Sequence, residues 1–377
     1  MKIIIAPDSF KESLSAKQVA AAIQAGFAKS FSDAKYHLVP IADGGEGTLE
    51  ALLNNAQGEL KTSLVEGPLG AKVQAKWGLI NQGSSAIIEI AEASGIALTP
   101  PTQRDVLRAS SFGTGQLIKQ ALDLGVSQII LCLGGSATND AGAGIVQALG
   151  ASLLDKDGNE IPKGGAALKQ IAKIDLSDLH PRAHEVEWLL ACDVDNPLCG
   201  NDGASAVFGP QKGATPEEVT TLDAALLHFA SKVSDLTNMD HTTSPGYGAA
   251  GGTALGISLL SQPTLKPGID IVLQASHFDQ LLDDVDLVIT GEGQMDYQTL
   301  HGKAPFGVAK AAKARGIKVI GIAGSIGQNT QGLQQYFDAI FGTTRAPQDL
   351  KQVLEEAEDN LIRVATNVAA TLALSIK

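Results

Sequence analysis

The segment "IILCLGGSATNDAGAG", from Ile129 to Gly144, passes directly from an apolar run into glycines, hydroxyls, an amide and a carboxylate. The apolar part is typical of a buried strand, and the polar part has two explanations. A tight turn into a helix needs only two or three such residues. A ligand site also uses them, because glycines let a ligand approach the backbone and N–H groups at a helix start attract anions. Alone, the segment favours neither explanation.

The same passage from an apolar run to a polar, glycine-rich cluster recurs along the chain. It occurs in "IIIAPDSF" from Ile3, "LVPIADGGEG" from Leu38, "WLLACDVDNP" from Trp188, "LVITGEGQMD" from Leu287 and "VIGIAGS" from Val319. Short apolar runs followed by helical segments predict strands buried on both faces of a largely parallel α/β sheet. Ligands of such sheets bind beyond the carboxyl ends of the strands, where these clusters fall.

The length of the chain, 377 residues, favours two domains. Residues 60–90 differ from the rest, because apolar stretches alternate there with Gly, Pro and Asn turns that are typical of hairpins. We therefore expect one α/β domain formed by residues 1–60 and 265–377. A mixed α/β domain, residues 61–264, is inserted in it.

Several residues mark where helices begin and end. Ser15 precedes "AKQVAAAIQAGF", and Thr215 with Glu218 forms a capping box. Gly316 is a stop signal after an alanine-rich segment. The glycines of "SSFGTG" predict a loop that opens a helix at Gln116.

The net charge of −13, without a basic block, argues against a nucleic-acid or anionic-membrane partner. The three cysteines form no CxxC pair, so neither a zinc site nor a disulfide framework is indicated. The first apolar run meets Asp8 too early for a signal peptide, and no segment has the length of a membrane span. We expect a cytoplasmic protein.

Carboxylates stand beside glycines at the predicted strand ends: Asp8, Asp43 with Glu46, Asp140, Asp193 with Asp195, and Glu292 with Asp296. Mg²⁺ is held by one or two carboxylates plus substrate phosphates, and a hydroxyl nucleophile needs a nearby base, so this set suits phosphoryl transfer. Any one of them could simply cap a helix, but their repetition on one edge favours a site. The predicted metal ligands are Asp8, Asp43, Glu292 and Asp296, with Gly291 and Gly293 placed for nucleotide binding.

Four cationic residues are candidates for binding charged ligands. Lys11 in "DSFKES" and Lys303 in "HGKAP" follow strand-end loops, where an ammonium group would neutralise phosphate charge; Lys11 is assigned to catalysis and Lys303 to the nucleotide. Arg104 and Arg108 precede "SSFGTG", and Arg104 is the candidate for gripping a small carboxylate in bidentate fashion. The alternative for each is a solvated surface position.

Common nucleotide motifs are absent from the sequence. Gly302-Lys303 lacks the other elements of a Walker A motif, and "GAGIVQ" has Gln147 where a dinucleotide fingerprint requires its third glycine. The seven histidines show no metal-ligand spacing, and His301, near the expected site, receives no role.

Seven blocks resemble the bacterial, type I glycerate kinase family: "IAPDSFKESLSA", "PIADGGEGT", "LGGSATNDAGAGIVQALG", "FGPQKGA", "GAAGGTALG", "VITGEGQMD" and "HGKAP". They occur in the family's order and with its spacing, and the similarity runs from Lys2 to the last helix. The resemblance implies an ATP- and Mg²⁺-dependent kinase that converts D-glycerate to phosphoglycerate, typically 2-phosphoglycerate. It also implies two α/β domains around an active-site cleft, one of them flavodoxin-like.

With this resemblance, the segment after Leu133 is interpreted as a ligand loop whose ligand is either glycerate or a phosphate of ATP. Asp140 caps or supports the loop, and Asp193, the first polar residue after "EWLLAC", is the expected base for the glycerate hydroxyl. Cys192 beside that base is expected to keep water scarce. The loop residues assigned to the nucleotide are Gly134 and Gly135, and those assigned to glycerate are Ser136, Thr138 and Asn139.

Two positions depart from the family pattern. Gln294 stands where the family usually has Arg in the "GEG" block, and Val106 stands where Pro commonly follows Arg-Asp. The first change would weaken phosphate binding if that Arg contacts ATP.

Two rival functions remain on the residues alone. A nicotinamide-dependent oxidoreductase of a small hydroxy acid suits the α/β edge but not the broken GxGxxG motif. A non-enzymatic nucleotide or carboxylate sensor would keep the glycines but would not need so many acidic residues.

Overall fold

The computed structural model describes residues 1–300 and 302–375, so His301 lies outside the described residues. The chain divides into two compact units. Unit 1 comprises Met1–Asp43, Glu50–Ala56 and Pro267–Lys377, and unit 2 comprises Gly44–Leu49 and Gln57–Lys266.

Strands and helices alternate along most of the described chain. The strands are β1 (Lys2–Ile5), β2 (Lys35–Leu38), β3 (Glu59–Glu66), β4 (Lys72–Ile80), β5 (Ser85–Glu89), β6 (Gln128–Cys132), β7 (Ser152–Leu154), β8 (Lys173–Asp175), β9 (Glu187–Ala191), β10 (Thr264–Lys266), β11 (Leu287–Thr290), β12 (Gln294–Met295), β13 (Lys318–Ala323), β14 (Ser325–Ile326) and β15 (Ala339–Gly342). The helices are α1 (Ala16–Phe27), α2 (Thr48–Asn55), α3 (Ile90–Ser94), α4 (Phe112–Asp123), α5 (Ala143–Ala148), α6 (Ala204–Phe208), α7 (Pro216–Thr237), α8 (Thr253–Ser258), α9 (Gly268–Ala275), α10 (Phe278–Leu281), α11 (Ala304–Ala314), α12 (Leu350–Glu355) and α13 (Ala357–Ser375).

Unit 1 is built on a parallel sheet with strand order β15–β13–β11–β1–β2. Numbered within the unit, this is the order 2-1-3-4-5 of a flavodoxin-like, doubly wound sheet. The point where the strand order reverses lies between β1 and β11. Ligands of such sheets bind at this switch point, beyond the carboxyl ends of the strands.

Strand β1, an interior strand of the unit 1 sheet, is covered on both faces, as its continuous apolar sequence predicts. Ile3, Ile4 and Ile5 of β1 are fully buried. Helix α1 begins directly after Ser15, as predicted, and Ser15 and Gln18 form a capping box in which each side chain bonds the other residue's backbone N–H group. It packs on α13 so closely that a Cβ at Gly26 would lie 2.5 Å from the Cβ of Ala365.

Unit 2 contains a mixed sheet with strand order β10–β9–β6–β5–β4–β3. Strands β5, β6, β9 and β10 pair in parallel, whereas β3, β4 and β5 are antiparallel, as the turn-rich sequence predicts. Trp77 and Trp188 lie in its core. The predicted capping box at Thr215 is present at the start of α7. The predicted fold class of two α/β domains, one flavodoxin-like and one mixed, is therefore confirmed.

One predicted helix boundary is wrong: α4 begins at Phe112, not at Gln116. Gly113 and Gly115 belong to the helix because neighbouring backbone leaves no room for a side chain. A Cβ at Gly113 would lie 1.7 Å from the Glu66 carbonyl oxygen, and one at Gly115 would lie 2.7 Å from the Ile145 carbonyl oxygen. These glycines serve helix packing.

Within residues 1–300 and 302–375, no helix is both long and apolar enough to cross a bilayer.

Candidate active site

A pocket of about 550 Å³ opens at the switch point of unit 1. Main-chain hydrogen bonds bring its acidic residues together: the Asp8 N–H donates to the Gly291 carbonyl at 2.8 Å, and the Ile41 N–H donates to the Pro7 carbonyl at 3.0 Å. These bonds align the segments that follow β1, β2 and β11. The residues that line this end of the pocket are Asp8, Lys11, Asp43, Glu292, Gly293 and Lys303.

Asp8 is the carboxylate most affected by these surroundings. Its pKa is raised to about 7, first by burial and then by the negative charges of Asp43 and Glu292. The Ser9 N–H, which donates to Asp8 Oδ1 at 2.6 Å, and the exposed Lys11 ammonium act in the opposite direction. Because Asp43 and Glu292 raise the proton affinity of Asp8, the three carboxylates together form a site that favours a cation.

Glu292 is held by two donors. Lys303 Nζ lies 2.9 Å from Oε2, and the Thr299 hydroxyl donates to Oε1 at 2.8 Å. Burial raises the pKa of Glu292, while both donors lower it. The Lys303 ammonium is therefore fixed beside the switch point, in the position that a phosphate-neutralising group requires.

The four predicted metal ligands do not form one preassembled set. Across residues 1–300 and 302–375, no group of three or more His, Cys, Asp or Glu side chains is arranged to hold a metal ion. Asp296 does not line the pocket; it accepts hydrogen bonds from Gln294 Nε2 at 2.9 Å and from the Gln298 N–H at 2.8 Å, so it closes its own turn. The other three carboxylates still fit Mg²⁺, which commonly takes one or two carboxylates and completes its shell with substrate phosphates and water.

The two glycines of the "GEG" block have different roles. A Cβ at Gly291 would lie 1.7 Å from the Ile322 carbonyl oxygen, so packing on β13 explains this glycine. Gly293 lines the pocket, and a Cβ there would meet nothing closer than 3.7 Å. Gln294, the departure from the family pattern, also lines the pocket.

The loop after β6 lies at the carboxyl edge of the unit 2 sheet. Gly135 adopts a φ of +73° and is exposed, and Gly134 lies so close to the next loop that a Cβ would be 2.7 Å from the Cα of Gly45. The Ile96 N–H and the Gly135 carbonyl are joined at 2.9 Å, which fixes the loop. Close packing explains Gly134, whereas Gly135 leaves its backbone open to a ligand.

The predicted direct contact of Thr138 and Asn139 with a ligand is not available in this structure, because both residues are fully buried. Asn139 Nδ2 donates to the Ser205 hydroxyl at 2.9 Å. Asp140 supports the loop as predicted, accepting from the Ser111 N–H at 2.8 Å and the Ser111 hydroxyl at 2.9 Å. These residues hold the loop from the inside.

Lys212 is a functional candidate that the residue patterns did not single out. It is only 3% exposed, and its ammonium donates to the Ser136 hydroxyl at 3.0 Å and to the Thr138 carbonyl at 2.7 Å. Burial lowers its pKa to about 8, against the opposing charge of Asp140. Burial of a cation lowers stability unless hydrogen bonds or an opposite charge compensate for the lost solvation. This cost makes Lys212 a candidate for a functional role. Its only sequence signal is the block "FGPQKGA".

Arg104 lies beside Lys212, where Arg104 Nη1 donates to the Gln211 carbonyl at 3.0 Å. Its Nε is buried and has no hydrogen-bond partner within the described part of the chain. Arg108 is exposed. The cavity that Arg104, Ala137 and Lys212 help to line measures about 10 Å³, which is room for no more than one water molecule.

Asp193 follows β9, the neighbour of β6, and so lies on the same sheet edge as the loop. The Cys192 thiol donates to the Val194 carbonyl at 3.2 Å. The expectation that Cys192 shields Asp193 from water is wrong for this structure, because the Asp193 side chain is exposed.

A flavodoxin-like unit with carboxylates and an ammonium group at its switch point is typical of α/β enzymes that act on charged small molecules. Residues 3–373 match the sequence model of the glycerate kinase family, and the chain belongs to that family.

Individual proteins agree with the family match. The chain is 50% identical to a Bacillus subtilis (strain 168) protein named glycerate kinase, over 100% of this chain and 98% of the relative. It is 48% identical to an Escherichia coli (strain K12) protein named glycerate 2-kinase, over 100% and 99% of the two chains. A crystal structure from Salmonella typhimurium LT2, provisionally named glycerate kinase 2, superposes with a TM-score of 0.90 at 50% identity and covers 100% of this chain and 99% of that chain. The resemblance and the prediction of an enzyme are confirmed.

Proposed function

We propose that this enzyme transfers a phosphoryl group from ATP to D-glycerate, with Mg²⁺, and forms 2-phosphoglycerate. The observation that carries the proposal is the set of groups at the switch point of unit 1, where Asp8, Asp43 and Glu292 share a pocket with Lys303. The Escherichia coli relative, named glycerate 2-kinase, supports the choice of substrate and of hydroxyl.

The groups of unit 1 suit a nucleotide triphosphate with its metal. A bound Mg²⁺ would neutralise phosphate charge and orient the transferred group. Asp8, Asp43 and Glu292 are the residues that would hold it, because their mutual repulsion is relieved by a cation. Lys303, fixed by Glu292, and the more exposed Lys11 supply further positive charge for phosphate oxygens. Gly293 allows the phosphates to approach the backbone.

The loop of unit 2 suits the small acid. Ser136 accepts a hydrogen bond from Lys212, which lies near Arg104, so two cationic side chains serve the end of the loop that would receive the glycerate carboxylate. Asp193, exposed on the same sheet edge, is the base that takes the proton of the attacking hydroxyl. Positioning and charge neutralisation account for most of the barrier in phosphoryl transfer, and the base adds to them.

The test is ADP release from the purified protein with D-glycerate, ATP and Mg²⁺. We expect ADP release to require all three components, with no change in NAD(H) absorbance when that cofactor is supplied instead. Full turnover in excess chelator would overturn the role of the metal. Glycerate-dependent NADH formation without ADP would overturn the kinase function itself.

We also propose a cytoplasmic location and a small-molecule substrate without a nucleic-acid or membrane partner. The three cysteines, Cys132, Cys192 and Cys199, are all free thiols, which suits a reducing compartment. The net charge of −13 suits neither a nucleic acid nor an anionic membrane surface.

A further inference from the structure

The switch-point pocket of unit 1 changes character along its length. Its acidic end follows β2, β1 and β11, whereas the opposite end is lined by Thr343 and Thr344 after β15 and by residues of α12 and the start of α13. Neighbouring strands lie ~4.8 Å apart, so the four steps from β2 to β15 span roughly 19 Å. An extended nucleoside triphosphate has a comparable length. The order of the strands therefore gives the pocket a charged end and a more apolar end. A nucleotide has the same two parts, a charged triphosphate and an aromatic base.

The apolar end offers side chains that a flat ring would cover. The accessible apolar residues there are Leu350, Val353 and Leu354, whereas Phe10 and Ala357 are only 4% and 8% exposed. Leu350 is 68% exposed and lies at the rim of the pocket. The Ser13 hydroxyl donates to the Leu354 carbonyl at 3.0 Å and so ties the Phe10 loop to α12. An aromatic base placed here would bury apolar surface that the protein leaves open to solvent.

Gln348 supplies a polar group with a fixed orientation at this end. Its Nε2 donates to Glu356 Oε2 at 3.2 Å. Because a carboxylate only accepts, this bond keeps the amide nitrogen on the Glu356 side. The Oε1 atom is buried, and no group among the residues that the structure describes donates a hydrogen bond to it. Gln348 is half-buried and lines the pocket, so this acceptor without a partner lies just beneath the surface of the apolar end, where a ligand reaches it once the side chain shifts.

We propose that the adenine base of the nucleotide binds against Leu350, Val353 and Leu354 of α12, and that Gln348 Oε1 accepts a hydrogen bond from the exocyclic amine of adenine. This assignment rests on the proposed function and deepens it, because it places the triphosphate at the switch point and makes Gln348 a specificity-determining residue. Guanine and uracil carry a carbonyl oxygen where adenine carries its amine. Two acceptors would then face each other, so GTP and UTP are disfavoured.

The test compares kcat/KM for ATP and GTP at saturating D-glycerate, together with calorimetric binding of Mg-ATP in the absence of glycerate. We expect Gln348→Leu to lower the preference for ATP over GTP by about tenfold, the effect of one buried hydrogen bond. Glu356→Gln allows the Gln348 amide to flip and should relax the preference in the same direction. Gln352→Leu, at an exposed position on α12 that does not line the pocket, is the matched control and should leave the preference unchanged.

A second pair of variants tests the apolar contact without touching the protein core. Leu350→Ser should raise the Kd of Mg-ATP about five- to tenfold, whereas Leu374→Ser, at a leucine that is 77% exposed, should not change it. An unchanged ATP/GTP ratio in Gln348→Leu or an unchanged Kd in Leu350→Ser would overturn the base assignment while leaving the kinase function intact. A wild-type protein that neither binds Mg-ATP nor releases ADP would overturn both.

Discussion

The buried ammonium of Lys212 gives a quantitative prediction, because the free energy needed to bury its charge makes protein stability depend on pH. Burial lowers its pKa in the folded protein from the ordinary 10.5 to about 8. At a pH between these two pKa values, Lys212 holds its proton in the unfolded chain but not in the folded chain. The free energy of unfolding therefore rises with pH by about 1.4 kcal/mol per unit in this window. Below pH 8 both states hold the proton, so Lys212 adds no slope there.

Urea unfolding at pH 7.5 and pH 9.5 measures this effect. Wild type should gain about 2 kcal/mol between these pH values relative to Lys212→Met, which has no group to titrate at this position. Tryptophan fluorescence is a suitable probe, because the chain's two tryptophans, Trp77 and Trp188, are both buried in unit 2 with Lys212. Lys169→Met, which removes an exposed lysine of the same unit, is the control and should follow wild type. An identical pH response in wild type and Lys212→Met would refute a buried, charged Lys212.

Four further variants test the proposed site. Asp193→Asn should lower kcat by roughly 10² to 10⁴, the usual effect of losing a general base; a loss of Mg-ATP affinity in calorimetry would indicate a metal ligand instead. Arg104→Ala should raise KM for glycerate far more than KM for ATP, and equal changes in the two constants would assign Arg104 to structure. Glu292→Gln should raise the Mg²⁺ concentration needed for half-maximal ADP release, while Asp296→Asn should not, because Asp296 closes its own turn; the reverse order would restore Asp296 as a ligand.

Much of the fold follows from patterns that are local in the sequence. Continuous apolar runs such as that of β1 predict buried parallel strands, and capping boxes such as that of Ser15 fix helix starts. The strand order is not local, because β1 pairs with β11 across more than 280 residues; only the family resemblance pointed to a flavodoxin-like sheet. The start of α4 was misplaced because Gly113 and Gly115 resemble a loop, whereas their reason is contact with distant backbone.

The candidate site was only partly accessible to sequence reasoning. Strand-end position was a good guide to Asp8, Asp43 and Glu292, since parallel strands bring their carboxyl ends to one edge. It was a poor guide to Thr138 and Asn139, because polarity alone does not show that packing buries them.

Lys212 and Gln348 were missed for a related reason. They are functional candidates because of their burial and their hydrogen-bonding partners, and both of these exist only in the folded chain. A lone lysine or glutamine in a sequence has no pattern that distinguishes it from a solvated one.

The most direct test of the proposed reaction is a phosphorus NMR spectrum of the product formed from D-glycerate, ATP and Mg²⁺. Transfer to the 2-hydroxyl predicts a phosphomonoester signal split into a doublet by the single proton on C2, appearing together with ADP and only when the enzyme is present. A triplet from the two protons on C3 would contradict the proposed choice of hydroxyl. ADP and inorganic phosphate without any phosphomonoester would contradict glycerate as the acceptor.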